Sequence, residues 1–332
     1  MNADRLIMTL IITVLSITCS AQNSDTLLVM FWNLENFFDY KDGGEGESDR
    51  EFSSFGSRRW TKARFQAKCN AVSKSIYWIS DKYGRLPDLI GLAEIENSYV
   101  LYRLLNDTAL KKAGYSFIHY EGRDRRGIDV AILYRKAVLQ KQMTGRRMPI
   151  CLSDPEEERP DTIYTRDILH ARMKKGHISL DFIVNHHPSR YGGKRSSDDR
   201  RSAAMTCLRD ICDSLLSDVP EEYVGLIAMG DFNDTPDSGQ FRMMDDILVN
   251  MADELHAEGK GTIRYEGKWE LIDMFLVSGN LVERSLMRIV KIPFLMVPDS
   301  RHTGEKPFRT YSGPKYIGGV SDHCPIILQL IL

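Results

Sequence analysis

The residues best suited to chemistry follow an apolar run near residue 230. Residues 224–229 are apolar, and Gly230-Asp231-Phe232-Asn233 comes directly after them. An apolar run that stops at Gly and is followed by Asp and Asn is typical of a buried strand with polar groups at its end. A single strand end of this kind means little, because turns favour Asp and Asn anyway. The pattern becomes informative because it recurs along the chain.

Other predicted strands also carry polar residues at their ends. Strands are predicted at 26–32, 88–93, 129–134, 179–184, 269–277 and 324–332. The polar residues at these strands are Asn33, Glu35, Glu94, Asn185, His186, Asp273, Asp322 and His323. Most follow their strand, but Asp322 and His323 precede the last one. If all of them meet at one site, the strands cannot all be parallel, because a parallel sheet builds its site at carboxyl ends alone. The sequence therefore predicts an α/β fold with mixed, largely antiparallel sheets flanked by helices.

These side chains suit metal-assisted hydrolysis of a phosphoester. Hard oxygen ligands come from Asn33, Glu94, Asp231, Asn233 and Asp322. Without thiolates, such a set favours Mg²⁺ or Mn²⁺ over structural zinc. His186 and His323 can donate to a phosphate oxygen or carry protons near neutral pH. Asp273 lies in an apolar strand, where an unpaired carboxylate is costly, so we expect a histidine partner. Singly, each residue is equally compatible with an ordinary turn or helix cap; the hypothesis depends on their joint occurrence.

The composition is that of a soluble globular protein. The chain has 332 residues, 42% of them hydrophobic and 27% charged, with a net charge of −2. A general polyanion binder would usually be basic, so nucleic-acid contacts would have to come from local patches. Five scattered cysteines outside the first residues form neither a disulfide framework nor a zinc spacing, and packing is their expected role.

Residues 1–21 have the form of a signal peptide. Residues 6–17 are apolar, and Cys19-Ser-Ala21 is a small-residue cleavage site. Export is therefore expected, to the periplasm, to the medium or, through a lipidated Cys19, to the cell surface; an uncleaved N-terminal anchor is the alternative. No transmembrane helix is expected in the mature chain.

Three helices are predicted between the strands, at 59–82, 99–112 and 197–216. In the first, Trp60, Ala63, Ala67, Ala71 and Ile79 are expected to face inward. Gly84 is expected to end this helix. Residues 42–57, rich in Gly, Glu and Ser, are expected to form a mobile surface loop. No repeat or composition break indicates a second domain.

The chain resembles the endonuclease/exonuclease/phosphatase family, the DNase I-like enzymes. The resemblance rests on Asn33-Leu-Glu35, Gly91-Leu-Ala-Glu94, Asn185-His186, Gly230-Asp-Phe-Asn233, Ile272-Asp273 and Ser321-Asp-His323, which occur in the family's order. It covers nearly the whole chain after the leader. The resemblance implies one domain over residues 26–332, folded as a four-layer α/β/β/α sandwich with two mixed sheets.

The resemblance also implies roles for the metal and water ligands. Glu94 would be the principal Mg²⁺ ligand, with Asn33 and Glu35 nearby. Asp231 would position or deprotonate the attacking water, and Asn233 would hold the phosphate.

The remaining implied roles concern the phosphate and the leaving group. Asp273 would orient His323, which would act as general base or electrostatic stabiliser, and Asp322 would support His323 or the metal. His186 would donate to the phosphate or leaving group. Substrate contacts are expected from Arg126, Asn185 and Arg190.

The departures from the family pattern bear on the substrate. Ala93 replaces the frequent Gln before the metal-binding Glu, and the inositol 5-phosphatase segment Pro-x-Trp-Cys-Asp-Arg is absent. Basic clusters could grip a phosphate backbone; they comprise Arg58, Arg59, Lys62 and Arg64, and Arg190, Lys194, Arg195, Arg200 and Arg201.

The expected function is an exported, Mg²⁺-dependent phosphodiesterase, first of all a nuclease acting on nucleic acid. The alternatives are a phosphatase or phospholipase-like enzyme for a small phosphoester or lipid head group, and a non-catalytic binding module. No protein partner is implied, and a monomer is expected.

Overall fold

Two six-stranded sheets form the centre of the protein. The computed structural model describes residues 26–332 apart from 45, 148, 150, 153–161 and 191–193. The strands of the first half are β1 (Thr26–Phe37), β2 (Leu89–Ile95), β3 (Tyr115–His119), β4 (Asp129–Arg135), β5 (Gln140–Arg147), β6 (Cys151–Leu152), β7 (Thr162–Ile163), β8 (Ile168–Lys175) and β9 (Ile178–His186). Those of the second half are β10 (Tyr223–Asp231), β11 (Leu248–Asn250), β12 (Ile263–Tyr265), β13 (Lys268–Glu270), β14 (Asp273–Ser278), β15 (Ser285–Ile289), β16 (Met296–Pro298), β17 (Glu305–Pro307), β18 (Tyr311–Ser312), β19 (Lys315–Tyr316) and β20 (Ile326–Ile331).

The helices connect and cover these strands. The α-helices are α1 (Glu47–Glu51), α2 (Lys62–Tyr83), α3 (Ser98–Asn106), α4 (Lys194–Leu216) and α5 (Asp253–Ala257). Short 3₁₀ helices span Ala109–Lys112, Gly239–Met244, Gly279–Arg284 and Pro293–Leu295. The helix predicted at 99–112 is thus an α-helix followed by a 3₁₀ turn, and the strand predicted at 269–277 is divided between β13 and β14.

Each large sheet is mixed, as predicted. The first has the order β15-β20-β1-β2-β4-β3 and the second β11-β14-β10-β9-β8-β5. The central pairs β1/β2 and β9/β10 are parallel, and every other pairing within these two sheets is antiparallel. The carboxyl ends of four central strands therefore meet the amino end of β14 and the segment before β20. This topology brings the polar residues at the strand ends to one edge of the two sheets.

Helices cover the outer faces of the two sheets, which gives the four predicted layers. Helices α2 and α3 pack on the first sheet around Phe65, Cys69 and Leu104. Helix α4 packs on the second sheet, and the inner faces of both sheets share the same core with it. The sheets approach closely at Gly91, where an added Cβ would lie 2.8 Å from Met229 Sδ. A larger residue there would separate the sheets directly behind the strand ends.

Helix α2 buries a face that only partly matches the prediction. Thr61 caps its start by accepting from the Arg64 N–H, and Gly84 ends it in the left-handed conformation, as predicted. Phe65, Cys69, Val72, Ile76 and Ile79 are buried. Ala63 and Ala67, expected to face inward, are exposed. The large apolar side chains remove more surface from water than alanines do, so they fix the inward face.

The surface loop predicted at 42–57 contains a short helix and buried residues. It contains α1, and Asp49 in that helix is buried beside Glu96. Burial raises the pKa of Glu96 to about 9, with further contributions from the hydrogen bond to Asp49 and from the charge of Asp39. Glu96 therefore holds a proton at neutral pH that the unfolded chain has released.

A Glu96→Gln variant is therefore expected to be more stable than the wild type in alkaline solution. The folded state binds the proton more tightly, so the stability of the wild type falls as pH rises from about 4.5 to about 9. The amide needs no proton, and we expect a gain of about 1–3 kcal/mol at pH 8 and little difference at pH 4. Urea unfolding at both pH values measures this. An equal gain at both pH values, or in the exposed control Glu221→Gln, would contradict the explanation.

Residues 1–21 lie outside the described residues. In the described part of the chain, no helix is long and apolar enough to cross a membrane. Cys69, Cys207, Cys212 and Cys324 are buried, which agrees with the packing role predicted for the cysteines.

Candidate active site

The site lies where the two sheets meet at one edge. Asp231 ends β10 and is paired in register with His186 of β9 on one side and with Asp273 of β14 on the other. Asn33 of β1 is paired with Ala93, the residue before Glu94. Between the sheets, Asn33 Nδ2 donates to Asp231 Oδ2 over 2.9 Å. This hydrogen bond connects the polar strand ends of the first sheet with those of the second.

The backbone is irregular at these strand ends. The register of β1 shifts between Asn33 and Phe37, and that of β2 shifts at Glu94. The non-glycine residues with positive φ in the described chain are Glu35, Asn36, Arg59, Glu94, Asn233 and Glu266. All but Arg59 and Glu266 belong to the site. Bulges and left-handed residues cost free energy, and they re-aim side chains at functional sites.

Asp273, His323 and Asp231 form an acid–imidazole–acid group in which both carboxylates are buried. His323 Nδ1 lies 2.8 Å from Asp273 Oδ2, and its Nε2 lies 3.9 Å from Asp231 Oδ2. Burial alone would lower the pKa of His323, but the charges of Asp273 and Asp231 outweigh it and hold the pKa well above the usual value. The imidazole is thus a cation at neutral pH. The sequence predicted a histidine partner for Asp273, and in the structure that partner is His323.

Asp231 is placed to accept a proton near neutral pH. Burial raises its pKa to about 7; the charge of His323 lowers it, and the charge of Asp273 raises it further. Besides Asn33 Nδ2, the backbone N–H of Asn233 donates to its carboxylate over 2.9 Å. A carboxylate fixed by two donors, with a pKa close to the working pH, suits a general base.

His186 lies between Asp231 and Glu94. Its Nε2 is 3.6 Å from Asp231 Oδ2 and 3.9 Å from Glu94 Oε1. Burial and the nearby Arg166 and Arg126 lower the pKa of His186 well below the usual value, so the ring is neutral. His187, in contrast, packs its ring edge-on against Phe232, and the structure places it outside the site.

Glu94 is an ionised carboxylate in a cationic pocket. Burial by itself would raise its pKa, but the charge of Arg126 and the hydrogen bond from the Asn36 N–H outweigh it, and the pKa lies far below the usual value. The Asn36 N–H donates to Glu94 Oε2 over 2.6 Å, and Arg126 Nη2 lies 3.4 Å from the same atom. Glu94 Oε1 is left facing His186 and the site.

Glu35 and Asp322 are held together by Arg309. Arg309 contacts Glu35 Oε1 over 3.0 Å and Asp322 Oδ2 over 2.9 Å, and the Thr310 N–H donates to Glu35 Oε2 over 2.7 Å. Burial raises the pKa of Glu35 to about 7, and the charge of Asp322 adds to this. Beneath them, the buried Lys68 Nζ donates to the Glu35 backbone carbonyl over 2.6 Å. Asp322 is partly exposed and lies 3.9 Å from His323 Nε2.

Three further predicted site residues hold the surrounding loops. Asn233 Nδ2 donates to the His187 carbonyl, and Asn185 Nδ2 donates to the Met229 carbonyl. Arg190 lies at the rim, where it bonds to the Asn233 carbonyl and pairs with Glu270 and Asp234. Asn185 is fully buried, so it supports β9 and β10 from within the sheet.

Sequence reasoning missed Arg166, Lys68 and Arg309. Arg166 is buried, its Nε lies 3.3 Å from Asp124 Oδ2, and its charge acts on Glu94, Asp231 and His186. No strand-end pattern marks it. Lys68 did carry a signal, since it falls between Phe65 and Val72 on the buried face of α2.

The residues predicted to hold a metal offer oxygen ligands. Glu94 offers an ionised oxygen, and Asn33 and Glu35 lie on the neighbouring strand. Mg²⁺ is typically held by one or two carboxylates, with water and substrate oxygens completing the shell. Buried polar atoms without a hydrogen-bond partner among the described residues include Asn185 Oδ1, His186 Nδ1 and Asp273 Oδ1. Such atoms are rare in native interiors, and these three lie at the strand ends that form the site.

Comparison with known proteins places this geometry in a family. A model of the Endonuclease/Exonuclease/phosphatase family matches residues 28–331. No curated protein matches the sequence. The human Nocturnin catalytic domain with bound sulfate superposes with a TM-score of 0.55 at 14% identity, over 92% of this chain and 94% of that one.

Two further solved structures share the fold at similarly low identity. Zebrafish (D. rerio) TDP2 complexed with a single-strand DNA product gives a TM-score of 0.54 at 14% identity, over 92% and 99% of the two chains. A mannosyl-6-phosphatase from Bacteroides thetaiotaomicron gives 0.55 at 15%, over 92% and 100%. At these identities the likeness extends to the fold alone. The match of the family model to almost the whole described chain shows that this protein belongs to the endonuclease/exonuclease/phosphatase family.

Proposed function

We propose that the protein is a Mg²⁺-dependent phosphoester hydrolase whose first substrate class is the phosphodiester bond of a nucleic acid. The observation that carries the proposal is the convergence of Glu94 with the Asp231, Asp273 and His323 group at one edge of the two sheets. An ionised metal ligand, a proton acceptor and a buried cation are the parts that phosphoester hydrolysis requires.

The side chains divide the reaction between them. Asp231 accepts a proton from the attacking water as the new bond from oxygen to phosphorus forms. His323, held as a cation by Asp273, stabilises the negative charge that develops on the phosphoryl oxygens, and it can protonate the leaving oxygen as that bond breaks. Mg²⁺ at Glu94 would supply charge neutralisation and orientation. Arg126 and Arg166 add positive charge around the same atoms.

The sulfate in the Nocturnin structure and the DNA product in the TDP2 structure belong to those proteins. They support a phosphoester substrate for this chain through the shared family and fold. The form of residues 1–21 supports the further proposal that the protein acts outside the cytoplasm.

A small phosphoester is the second candidate, because three arginines of the predicted basic clusters are already paired with carboxylates. Arg190 pairs with Asp234 and Glu270, and Arg58 pairs with Glu51. Arg201, predicted to contribute to a basic cluster, is buried and pairs with Asp234. A backbone-gripping surface needs cations that are not already paired in this way.

The test is hydrolysis by the purified protein of duplex DNA, RNA and a panel of sugar phosphates, with Mg²⁺ and with EDTA. Metal-dependent cleavage of DNA or RNA, with an affinity that falls steeply between 50 and 200 mM salt, would support the nuclease proposal. Release of inorganic phosphate from the small substrates alone, with weak salt dependence, would select the second candidate. If no substrate of any class is hydrolysed by folded protein, the hydrolase proposal is wrong.

A further inference from the structure

A second group of potential metal ligands lies outside the active site, at the base of the connection between β3 and β4. His119 is the last residue of β3, and Asp129 is the first residue of β4. Glu121 lies in the connection itself. One ligand atom from each of these three residues can be chosen so that all lie within 4.8 Å of one another. Asp129 and Glu121 line an open cavity of about 910 Å³, together with the carboxylates of Asp39, Glu47, Asp49, Glu96 and Asp124.

The surroundings of the His119 imidazole indicate that it binds a ligand. Its side chain is fully buried, and Nε2 has no hydrogen-bond partner among the described residues. Nδ1 lies 3.1 Å from the Ser98 hydroxyl. If Nδ1 donates to Ser98, Nε2 carries a lone pair that faces Asp129 Oδ2. A lone pair and a carboxylate repel each other, and a cation bound between them removes the repulsion.

The spacing of these atoms suits one ion. His119 Nε2 and Asp129 Oδ2 are 3.3 Å apart. Two ligands that each lie about 2.1 Å from a tetrahedral zinc ion are about 3.4 Å from each other. The other oxygen of Asp129 accepts the Gly122 N–H over 3.1 Å, so the carboxylate is oriented by the backbone, as are the ligands of established metal sites. Glu121 Oε1 lies 3.8 Å from Nδ1 of the same ring, and its side chain, 65% exposed, has room to turn towards the point between Nε2 and Asp129.

We propose that His119, Asp129 and Glu121 form a second, structural cation site for Zn²⁺ or a similar borderline metal. One nitrogen and two carboxylate ligands favour such an ion over the Mg²⁺ of the active site. The ion would close the base of the loop at 120–128, which carries Arg126 to Glu94. It would therefore fix one wall of the active site without taking part in the chemistry, and it does not depend on the proposed function.

The test is zinc binding to the purified, chelator-treated protein. Equilibrium dialysis with ZnCl₂, followed by elemental analysis, counts the ions bound, and thermal unfolding records the stabilisation. We expect the His119→Ala variant to lose one tightly bound equivalent, with an affinity at least about 100-fold weaker, and to lose the rise in Tm on zinc addition. The Glu94→Gln variant should keep that equivalent.

His256 provides a matched control. Its Nε2 also lies 3.3 Å from a carboxylate, that of Asp237. The His256→Ala variant should therefore bind zinc as the wild type does. Glu121→Ala, at an exposed position, repeats the test if His119→Ala does not fold. The proposal is overturned if His119→Ala and Glu121→Ala both bind as many ions as the wild type. It is equally overturned if every bound ion is lost in Glu94→Gln, because no zinc would then be held by His119 and Asp129.

Discussion

The His323→Ala variant is expected to lose about three orders of magnitude in kcat, with a much smaller change in KM. General acid–base groups typically contribute 10²–10⁴-fold, and a cation aimed at the developing charge acts mainly in the transition state. His323 combines both properties, because Asp273 lies 2.8 Å from Nδ1 and Asp231 lies 3.9 Å from Nε2. Steady-state hydrolysis of whichever phosphoester proves to be the substrate measures the loss.

The same substitution is expected to destabilise the fold, and this effect must be separated from catalysis. It leaves Asp273 buried with no cation beside it, which typically costs about 3–5 kcal/mol. The double variant Asp273→Asn/His323→Ala removes that charge and should recover most of the stability. It should recover none of the activity. A double variant as active as the wild type would exclude a catalytic role for this pair.

The exposed His302 serves as the control for loss of a histidine. Its Nδ1 lies 3.3 Å from Asp299, but the side chain is 41% exposed. His302→Ala should leave kcat nearly unchanged. It should change the free energy of unfolding only slightly, since an exposed ion pair contributes about 0–1 kcal/mol.

Much of the site could be predicted because its residues lie next to their own strands. A buried apolar run fixes where a strand ends, and the polar residues after it are then at the sheet edge whatever the rest of the chain does. Asp231, Glu94 and His186 are of this kind. The antiparallel entry of β20 could be predicted as well, since Asp322 and His323 precede their strand. The mixed sheets follow from these local facts, and so does the need of Asp273 for a partner; that the partner is His323 was implied by the family resemblance.

The residues that were missed depend on contacts between distant segments. Arg166 reaches Glu94 and Asp231 from the segment before β8, and no local pattern distinguishes it from a solvated arginine. Arg309 joins Glu35 and Asp322 from a long connection whose path the sequence does not specify. In and beside helix α2, Trp60 and Ile79 are buried as predicted, but Ala63 and Ala67 are exposed, because its alanines have the same spacing as its larger apolar residues. There, side-chain size decided the outcome and hydrophobic periodicity alone did not.

The second large effect is expected from Glu94→Gln, which should remove the response to Mg²⁺. Glu94 is the one predicted metal ligand whose carboxylate is held ionised, and Oε1 faces the site while Asn36 N–H and Arg126 occupy Oε2. The amide can still accept the Asn36 N–H, so the bulge in β2 should persist. The negative charge that attracts the ion is lost, however. We expect Mg²⁺ affinity to fall by at least about 100-fold and kcat by about 10³-fold at a Mg²⁺ concentration that saturates the wild type.

Isothermal titration with MgCl₂ and a Mg²⁺ titration of activity measure the two losses separately. Glu47→Gln is the matched control, because Glu47 pairs with Arg125 at an exposed position of the neighbouring loop. This substitution should leave both the Mg²⁺ affinity and kcat unchanged.

The neutral form of His186 supplies a further check. Removal of the Glu94 charge takes away an interaction that raises the pKa of His186, while Arg166 and Arg126 continue to lower it. The imidazole should therefore stay neutral in the variant, and its NMR signals should not titrate between pH 6 and 8. If Mg²⁺ binds Glu94→Gln as tightly as the wild type, the ion is held elsewhere, and the acid–imidazole–acid group of Asp231, Asp273 and His323 becomes the next position to test.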